Sequence, residues 1–356
     1  MKLSIAMCTY NGSAYLSEQL QSLAGQTRPP DELVVSDDQS NDGRTRGIIE
    51  AFGRDSPFKV RLSINNQTLG SKRNFAIAIG RCTGDIIFLC DQDDVWRSDK
   101  LARIEKTFKS NPATGLVFSD AELVDEDLKT LRRLADDFGN ECRIELNEGR
   151  AFRALLHQYL VTGATMAFRS RLRHLVLPIP SHTMLQHDAW IALIMAAAAP
   201  VVFLDEPLIK YRQHYGQQIG VSVKGSKYEQ RSSPLIDEVN SEPYPAGEIH
   251  AFKTVYARLI TKCSALVTSD DLKEIWDWIL RLEGERAVLE NQSAPVETRK
   301  PWEEMHQHLD SKTIRIAPYI KRDLWRLGFR LGVRDLWAAS KLIRLEKEQD
   351  LVKIQD

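Results

Sequence analysis

The 356-residue sequence contains only five cysteines, and no two of them have a spacing that suits a metal site. Cys8, Cys82, Cys90, Cys142 and Cys263 are odd in number and scattered along the chain. This pattern predicts free thiols in a reducing compartment, and it excludes a small secreted domain held together by disulfide bonds.

Long hydrophobic runs are also missing. The longest apolar stretch, residues 189–204, is shorter than a membrane-spanning helix, which needs about 20 residues, and Pro200 interrupts it. The opening residues "LSIAMCTY" suit a strand better than a signal peptide. We therefore expect a cytoplasmic protein, soluble or bound peripherally at the inner face of a membrane.

The formal net charge is only −1, so the molecule as a whole has no field that would attract nucleic acid, and we expect no nucleic-acid partner. Neither a Walker-type glycine loop nor a GxGxxG motif follows any apolar run. A bound phosphate would therefore need another source of positive charge.

Up to about residue 120, short apolar runs alternate with helix-like segments. Continuously apolar strands alternating with helices predict an α/β fold whose mainly parallel sheet is covered by helices on both faces. The predicted strands are 3–9, 31–38, 59–65, 85–91 and 115–120, and the predicted helices are 13–25, with Ser13 as N-cap, 43–52, 71–82 and 98–111.

After residue 120 the alternation loosens, and after residue 216 the composition changes. A polar stretch, 121–149, precedes a predicted helix at 148–158, a strand at 163–169, a helix at 188–199 and the strand-like segments 201–204 and 208–212. We predict a catalytic domain at 1–216, a linker at 217–247 and a helical C-terminal region at 248–356, added to the α/β domain.

Three predicted strands end in polar groups that would meet at one edge of the sheet, where open α/β sheets bind ligands. Any single acid there could simply stabilise a turn. The cluster Asp-Gln-Asp-Asp at 91–94, however, needs a cation, and its oxygens suit Mg²⁺ or Mn²⁺ carrying a diphosphate. The groups are Thr9, Tyr10 and Asn11, then Asp37 and Asp38, then Asp91, Asp93 and Asp94.

Four segments resemble, in order and spacing, the motifs of family 2 glycosyltransferases: "IAMCTYNG", "LVVSDDQSNDGR", "LGSKRNFAIAIGRCTGDIIFLCDQDDVW" and "QHDAWIAL". The resemblance covers about residues 1–216. It implies the GT-A fold, that of the nucleotide-diphospho-sugar transferases, and transfer with inversion of the anomeric centre. The sequence "YRQH" at 211–214 is similar to bacterial rhamnosyltransferase-type members that build O-antigen, capsule or other polysaccharide.

The resemblance also assigns residues to the donor. Thr9, Tyr10 and Asn11 would line the nucleobase pocket, and Asp38, rather than Asp37, would accept a hydrogen bond from a uracil or thymine ring. Lys72 or Arg73 would supply positive charge to the diphosphate and Asn74 a hydrogen bond, although these positions could equally be solvated.

Around the metal, the resemblance makes Asp91 and Asp93 the Asp-x-Asp pair, with Asp93 as the direct ligand and Asp94 behind it. Gln92 takes the position where some members carry a ribose-binding acid. His214 would complete the metal sphere or clamp the diphosphate; a structural role is the alternative.

Asp188, at the start of a helix, would be the base that deprotonates the acceptor hydroxyl, or else only a helix cap. A helix N-terminus favours its ionised form, so basicity would have to come from apolar neighbours such as Trp190. Thr162 and Gly163 would leave room for the acceptor sugar.

The segment 319–345 carries arginines at every fourth position, Arg322, Arg326, Arg330 and Arg334, beside leucines. Such a helix suits an anionic membrane surface, as a polyprenyl-linked acceptor would require, or it packs on the catalytic domain.

The function predicted from the resemblance is transfer of a sugar from a UDP- or dTDP-sugar, such as dTDP-rhamnose, to a glycan or lipid-linked acceptor. A sugar nucleotidyltransferase is one alternative, although such enzymes usually follow the first strand with a glycine-rich loop, and here the loop is "TYNGSAYL". A non-catalytic nucleotide-sugar-binding module is the other.

Overall fold

The computed structural model describes residues 1–158, 160–217 and 246–293. By internal contacts the chain divides into two compact units, Met1–Val239 and Asn240–Asp356. The first unit contains the sheet and the candidate site, and the second contains two of the described helices.

The described strands of the first unit are β1 Leu3–Thr9, β2 Glu32–Asp37, β3 Lys59–Ile64, β4 Ile86–Cys90, β5 Val95–Trp96, β6 Leu116–Val124, β7 Thr130–Arg133, β8 Met166–Arg169 and β9 Val201–Arg212. Its described helices are α1 Leu16–Ala24, α2 Thr45–Asp55, α3 Ser71–Arg81, α4 Lys100–Ser110, α5 Asn140–Asn147, α6 Ala151–His157, α7 Arg173–Val176 and α8 His187–Ala198. The second unit contributes α9 Ala246–Lys262 and α10 Ser269–Ser293.

Within the described residues, all of these strands form one sheet in the order β3-β2-β1-β4-β8-β6-β9-β5, with β7 paired to β6. Strands β1, β2, β3 and β4 are mutually parallel, and β6 and β9 run in the same direction because β8 is antiparallel to both β4 and β6. The prediction of a mainly parallel sheet is confirmed. The carboxyl ends of β1, β2 and β4 lie side by side at one edge.

The two faces of the sheet are covered by different helices. Alternate residues of β1, Leu3, Ile5 and Met7, belong to a buried cluster that includes leucines of α1 and apolar residues of α4. Successive strand residues point to opposite faces, so Ala6 faces the other side, where α3 contacts β1 and β2. Each fully buried large side chain stabilises the fold by about 1.5–3 kcal/mol relative to exposure.

The predicted secondary structure differs from the structure in regions where contacts between distant parts of the chain determine which elements form. The polar stretch 121–149 contains the end of β6, the short strand β7 and helix α5, while 201–204 and 208–212 form one continuous strand, β9. Strand β9 pairs with β6, and the register of this pairing shifts near Asp120. The pairing therefore includes the polar residues between the two predicted segments. Ser13 does not cap α1: the N-cap is Tyr15, and the Ser13 backbone N–H donates to Asp42.

In the second unit, α9 and α10 pack against each other through buried apolar side chains: Ile249, Phe252, Val255 and Leu259 on α9, and Leu272, Ile275, Ile279 and Leu282 on α10. Among the described helices, none combines the length and hydropathy needed to cross a membrane. The arginine-rich segment 319–345 lies outside the described residues.

Gly84, at the amino end of β4, is expected to tolerate no side chain. A Cβ there would lie 2.8 Å from the Ser4 backbone nitrogen and 2.9 Å from the Lys2 carbonyl oxygen. We expect Gly84→Ala to lower the free energy of unfolding by about 2 kcal/mol in urea denaturation, because rigid backbone must move. Gly80→Ala, in an open position of α3, is the matched control and should stabilise by up to about 1 kcal/mol. Equal effects would contradict this packing.

Candidate active site

The loops that follow β1 and β2 are tied together by their own polar side chains. The Thr9 hydroxyl donates to Asp37 at 2.7 Å, and the Asn11 side-chain oxygen accepts from the backbone N–H of Asn41 at 2.8 Å. Asn11 itself has φ 50°, a left-handed conformation that asparagine tolerates better than most residues. Tyr10, between them, is 47% exposed at the edge of the sheet.

The two acids after β2 have different environments. Asp37 accepts from Thr9 and from both the backbone N–H and the hydroxyl of Ser40, at 2.8 and 2.6 Å. Asp38 accepts from the backbone N–H groups of Leu69 and Gly70, each at 2.8 Å, so it holds the loop that begins α3.

Asp38 also accepts from the side-chain amide of Asn65 at 2.8 Å and is 4% exposed. A carboxylate has about four acceptor positions, so these three bonds leave room for about one further donor. A pyrimidine ring N–H is a donor that would fit this position.

Gln92 holds the loop after β1 from the opposite side. Its side-chain oxygen accepts from the Tyr10 N–H at 2.8 Å, and its amide donates to the Tyr10 carbonyl at 3.1 Å. A Cβ at Gly12 would lie 2.2 Å from the Gln92 side-chain oxygen, so a larger residue there would displace this amide. Gln92, predicted at the ribose position, is thus bound to the loop after β1.

Asp93 and His214, both 9% exposed, meet at the end of β4, with the His214 Nε2 atom 2.8 Å from Asp93 Oδ2. These residues are 121 positions apart, and β9 brings His214 to the acidic cluster. The structure therefore joins two of the three side chains that were predicted to hold a metal.

Arg212 and Tyr15 support this pair, and sequence reasoning missed both. The Arg212 Nε–H donates to the Asp93 carbonyl at 2.8 Å, and its side chain forms an ion pair with Glu18. The Tyr15 ring lies 4.4 Å from the Arg212 guanidinium and 4.7 Å from the His214 ring. The arginine in "YRQH" was the signal available in the sequence.

Asp94 is fully buried beside them. One of its carboxylate oxygens accepts from the Arg212 backbone N–H at 3.1 Å, and the other has no hydrogen-bond partner. Burial, followed by the charges of Asp93 and Asp91, raises the pKa of Asp94 well above its usual value.

A buried lysine lies near the acidic cluster. Lys100, the first residue of α4, is completely buried, donates to the Ala164 carbonyl and lies 3.7 Å from the centre of the Trp96 ring. Burial lowers the pKa of Lys100 to about 7, although the negative charges of nearby groups, Asp94 and Asp91 among them, act in the opposite direction. The predicted helix 98–111 gave no sign that this lysine points inward.

Asp91 connects the acidic cluster to the predicted base. Burial, followed by the charges of Asp93 and Asp188, raises the pKa of Asp91 to about 8. Asp188 is therefore close enough to interact with the cluster at the end of β4. Asp188 accepts from the Gly163 N–H at 3.1 Å and from the Ala189 N–H at 2.8 Å, and it is 7% exposed.

Of the residues predicted at the diphosphate, Asn74 is buried and donates to the Ser36 carbonyl at 2.9 Å. Lys72 is also buried and donates to the Thr183 carbonyl, whereas Arg73 lies 3.4 Å from the Ser181 hydroxyl. In the ligand-free protein, α3 thus contacts the segment that precedes α8.

The acidic cluster suits a divalent ion in its donor atoms, but it is not a complete metal site. Within the described residues, no three histidine, cysteine or acidic side chains converge as a ready-made metal centre. Asp93 and His214 would provide two ligands, and the unpartnered oxygen of buried Asp94 lies behind them. Mg²⁺ and Mn²⁺ commonly take the remaining positions from water and substrate phosphates.

Residues 4–172 match the family model described as "Glycosyl transferase family 2", and the chain contains a glycosyltransferase domain of this family. An uncharacterized glycosyltransferase, alr2836 of Nostoc sp., is 26% identical over 67% of this chain and 74% of its own length. The abequosyltransferase RfbV of Salmonella typhimurium is 31% identical over 30% of this chain and 32% of its own length.

Similarity to a solved structure supports the fold. Residues 1–349 of TarS from Staphylococcus aureus, crystallised with UDP-GlcNAc, align with a TM-score of 0.51 and 17% identity. The alignment covers 81% of this chain and 84% of that one. The first unit therefore has the GT-A fold that the sequence motifs predicted.

Lys72 gives a testable pH dependence. Burial lowers its pKa to about 8 from an ordinary value of 10.5, and Asp188 acts in the opposite direction. Between these values the unfolded chain binds more protons, so this residue makes the folded state more stable as the pH rises from 8 to 10.5. Relative to Lys72→Met, the wild type should gain up to about 3 kcal/mol across that range in urea denaturation.

Lys106→Met is the control, because Lys106 is an exposed lysine of α4. Its stability curve should run parallel to that of the wild type between pH 7 and 10.5. If Lys72→Met also ran parallel, Lys72 would not be buried as the structure describes.

Proposed function

We propose that this chain is an inverting, metal-dependent glycosyltransferase that moves a sugar from a nucleotide-diphosphate donor to a hydroxyl acceptor. The observation that carries the proposal is the contact of His214 with Asp93 at the end of β4. Asp188, at the start of α8, contributes to the raised pKa of neighbouring Asp91 and so supports a base near this cluster. The loops after β1 and β2, which end on the same edge, would bind the nucleotide.

Asp93 and His214, with Asp91 nearby, would hold Mg²⁺ or Mn²⁺, which neutralises charge on a diphosphate leaving group when bound. Within the described residues no glycine-rich phosphate loop opens a helix at this edge. The segment "GSKRN" at the start of α3 would therefore contact the diphosphate through Lys72 or Arg73. For the nucleotide, Asp38 would accept from the base, with Thr9, Tyr10, Asn11 and Gln92 forming the surrounding loop.

Asp188 would act as the general base. The acceptor oxygen forms a bond to the anomeric carbon while the bond from that carbon to the diphosphate oxygen breaks, and the hydroxyl proton passes to Asp188. The bond electrons leave with the nucleoside diphosphate. A single displacement inverts the anomeric centre and needs no covalent enzyme intermediate.

The donor class follows from the relatives and from the motifs. TarS is named a poly(ribitol-phosphate) β-N-acetylglucosaminyltransferase and was crystallised with UDP-GlcNAc, and RfbV is named an abequosyltransferase. For this chain we propose a UDP- or dTDP-sugar donor, with dTDP-rhamnose suggested by the motif resemblance. The acceptor would be a glycan or a polyprenyl-linked glycan of a cell-surface polysaccharide.

The metal site is tested by thermal shift with UDP and dTDP, each with and without Mn²⁺. We expect Mn²⁺ to increase the stabilisation by nucleotide in the wild type, because ion and diphosphate bind together. Asp93→Asn and His214→Gln should lose most of that increase. Asp99→Asn, which removes an exposed partner of Arg97, should keep it. The site would be wrong if Asp93→Asn responded to Mn²⁺ as the wild type does.

The base is tested with Asp188→Asn. We expect the rate of transfer, and of metal-dependent hydrolysis of the donor, to fall by about 10²–10⁴-fold, which is typical for loss of a general base. Donor affinity measured by calorimetry should change by less than about threefold, since Asp188 faces the acceptor. Near-normal transfer by this variant would rule out the assignment, and binding without any turnover in the wild type would favour a binding module.

A further inference from the structure

Two buried polar side chains in the short segment that leads to Asp188 have no hydrogen-bond partner. Thr183 is 2% exposed and its hydroxyl is unpartnered, and His187 is 6% exposed with both ring nitrogens unpartnered. An unsatisfied buried polar group costs about 1–3 kcal/mol, so three such atoms in one short segment are an expensive arrangement. The mechanism described above uses neither residue.

Both residues contact the same face of α3, Thr183 through its backbone carbonyl and His187 through its ring. Lys72 donates to the Thr183 carbonyl, and one turn further along the helix the Phe75 ring stacks on His187 at 4.0 Å between centroids. The His187 ring also lies against Gly163, where a Cβ would be 2.8 Å from Nε2. The Gly163 N–H bonds Asp188, so the unpartnered His187 ring adjoins the proposed base.

The chemistry of these groups indicates the kind of ligand. Burial lowers the pKa of His187, so the ring is a neutral imidazole with one donor and one acceptor. A threonine hydroxyl likewise donates and accepts. Neutral groups that can do both suit hydroxyls, which also donate and accept, better than phosphate, which only accepts.

The position of Thr183 and His187 along α3 indicates which hydroxyl groups they would bind. The loop that begins α3 is held by Asp38, on the proposed nucleotide side, and Lys72 interacts electrostatically with Asp188, on the proposed acceptor side. A sugar that is being transferred must lie between the diphosphate and the base. The face of α3 that carries Lys72 and Phe75 begins next to the loop held by Asp38 and includes the lysine that interacts with Asp188.

We propose that Thr183 and His187 form the subsite that recognises hydroxyl groups of the transferred sugar. The inference rests on the proposed function and adds to it the part of the site that selects the sugar. Both side chains are buried, and the segment that carries Thr183 contacts α3 through Lys72 and Arg73, so a sugar would reach them if this segment moved away from α3.

The test separates sugar binding from nucleotide binding. Dissociation constants are measured by calorimetry with Mn²⁺ for UDP and UDP-GlcNAc and for dTDP and dTDP-rhamnose. The sugar increment is the ratio of the constant for the bare nucleotide to that for its sugar. Thr183→Val, which replaces the hydroxyl by a methyl of similar size, should lower the increment by about 3- to 10-fold and leave the bare nucleotide unaffected. Thr183→Ser should restore most of it.

Thr114→Val is the matched control. Thr114 is 1% exposed and its hydroxyl is also unpartnered, but it precedes β6, at the amino ends of the parallel strands and away from the proposed site. Both valine variants should melt at or above the wild-type temperature, since neither loses a hydrogen bond. Only Thr183→Val should change the sugar increment. His187→Leu, a second variant, should reduce the increment at least as much as Thr183→Val.

An unchanged increment in Thr183→Val and His187→Leu would overturn the subsite while leaving the proposed function intact. An equal loss of affinity for the bare nucleotide would also overturn it, because the segment would then act on the diphosphate. If the wild type bound none of the four probes, the proposed function would fail first and the subsite with it.

Discussion

Repulsion among carboxylates is the constraint on which the candidate site depends. Asp93, Asp94 and Asp188 are buried near half-buried Asp91, and charges within this group raise the pKa of Asp91 and Asp94 beyond the effect of burial alone. Carboxylates placed together in this way need hydrogen-bond donors or positive charge around them. The surrounding residues provide the contacts that stabilise this cluster.

The compensation is distributed over several elements. His214 bonds Asp93, and the Arg212 backbone bonds Asp94. Asp188 accepts from two backbone N–H groups, one in the turn before β8 and one in the first turn of α8. Lys100 adds a buried amine, but burial lowers its pKa to about 7, so its charge is only partly available at neutral pH. The remaining negative charge is what would make the cluster bind a divalent ion that arrives with a diphosphate.

The features of the fold that depend on local sequence pattern were predicted well. Apolar runs interrupted by helix-like segments predicted β1 to β4, and the polar residues after those strands marked the edge that carries the site. The predictions failed where partners are distant in sequence: Arg212 contacts Asp93 across 119 positions, and Lys100 reaches Ala164 across 64. A single sequence reports that a lysine begins a helix but not which way its side chain points.

Buried polar groups that have hydrogen-bond partners can be explained by the fold alone. Buried polar groups that lack such partners are candidates for contact with a ligand. Asp120 is completely buried, yet it has Arg133 and the Ala135 N–H as partners, so its burial is explained by the fold alone. Thr114 shows that a missing partner is not sufficient, since it lies at the opposite ends of the strands. A buried polar group without a hydrogen-bond partner indicates a ligand site when it also lies at the carboxyl edge of the parallel sheet. Thr183, His187 and Asp94 meet both conditions, which is why the sugar and the ion are assigned to this edge.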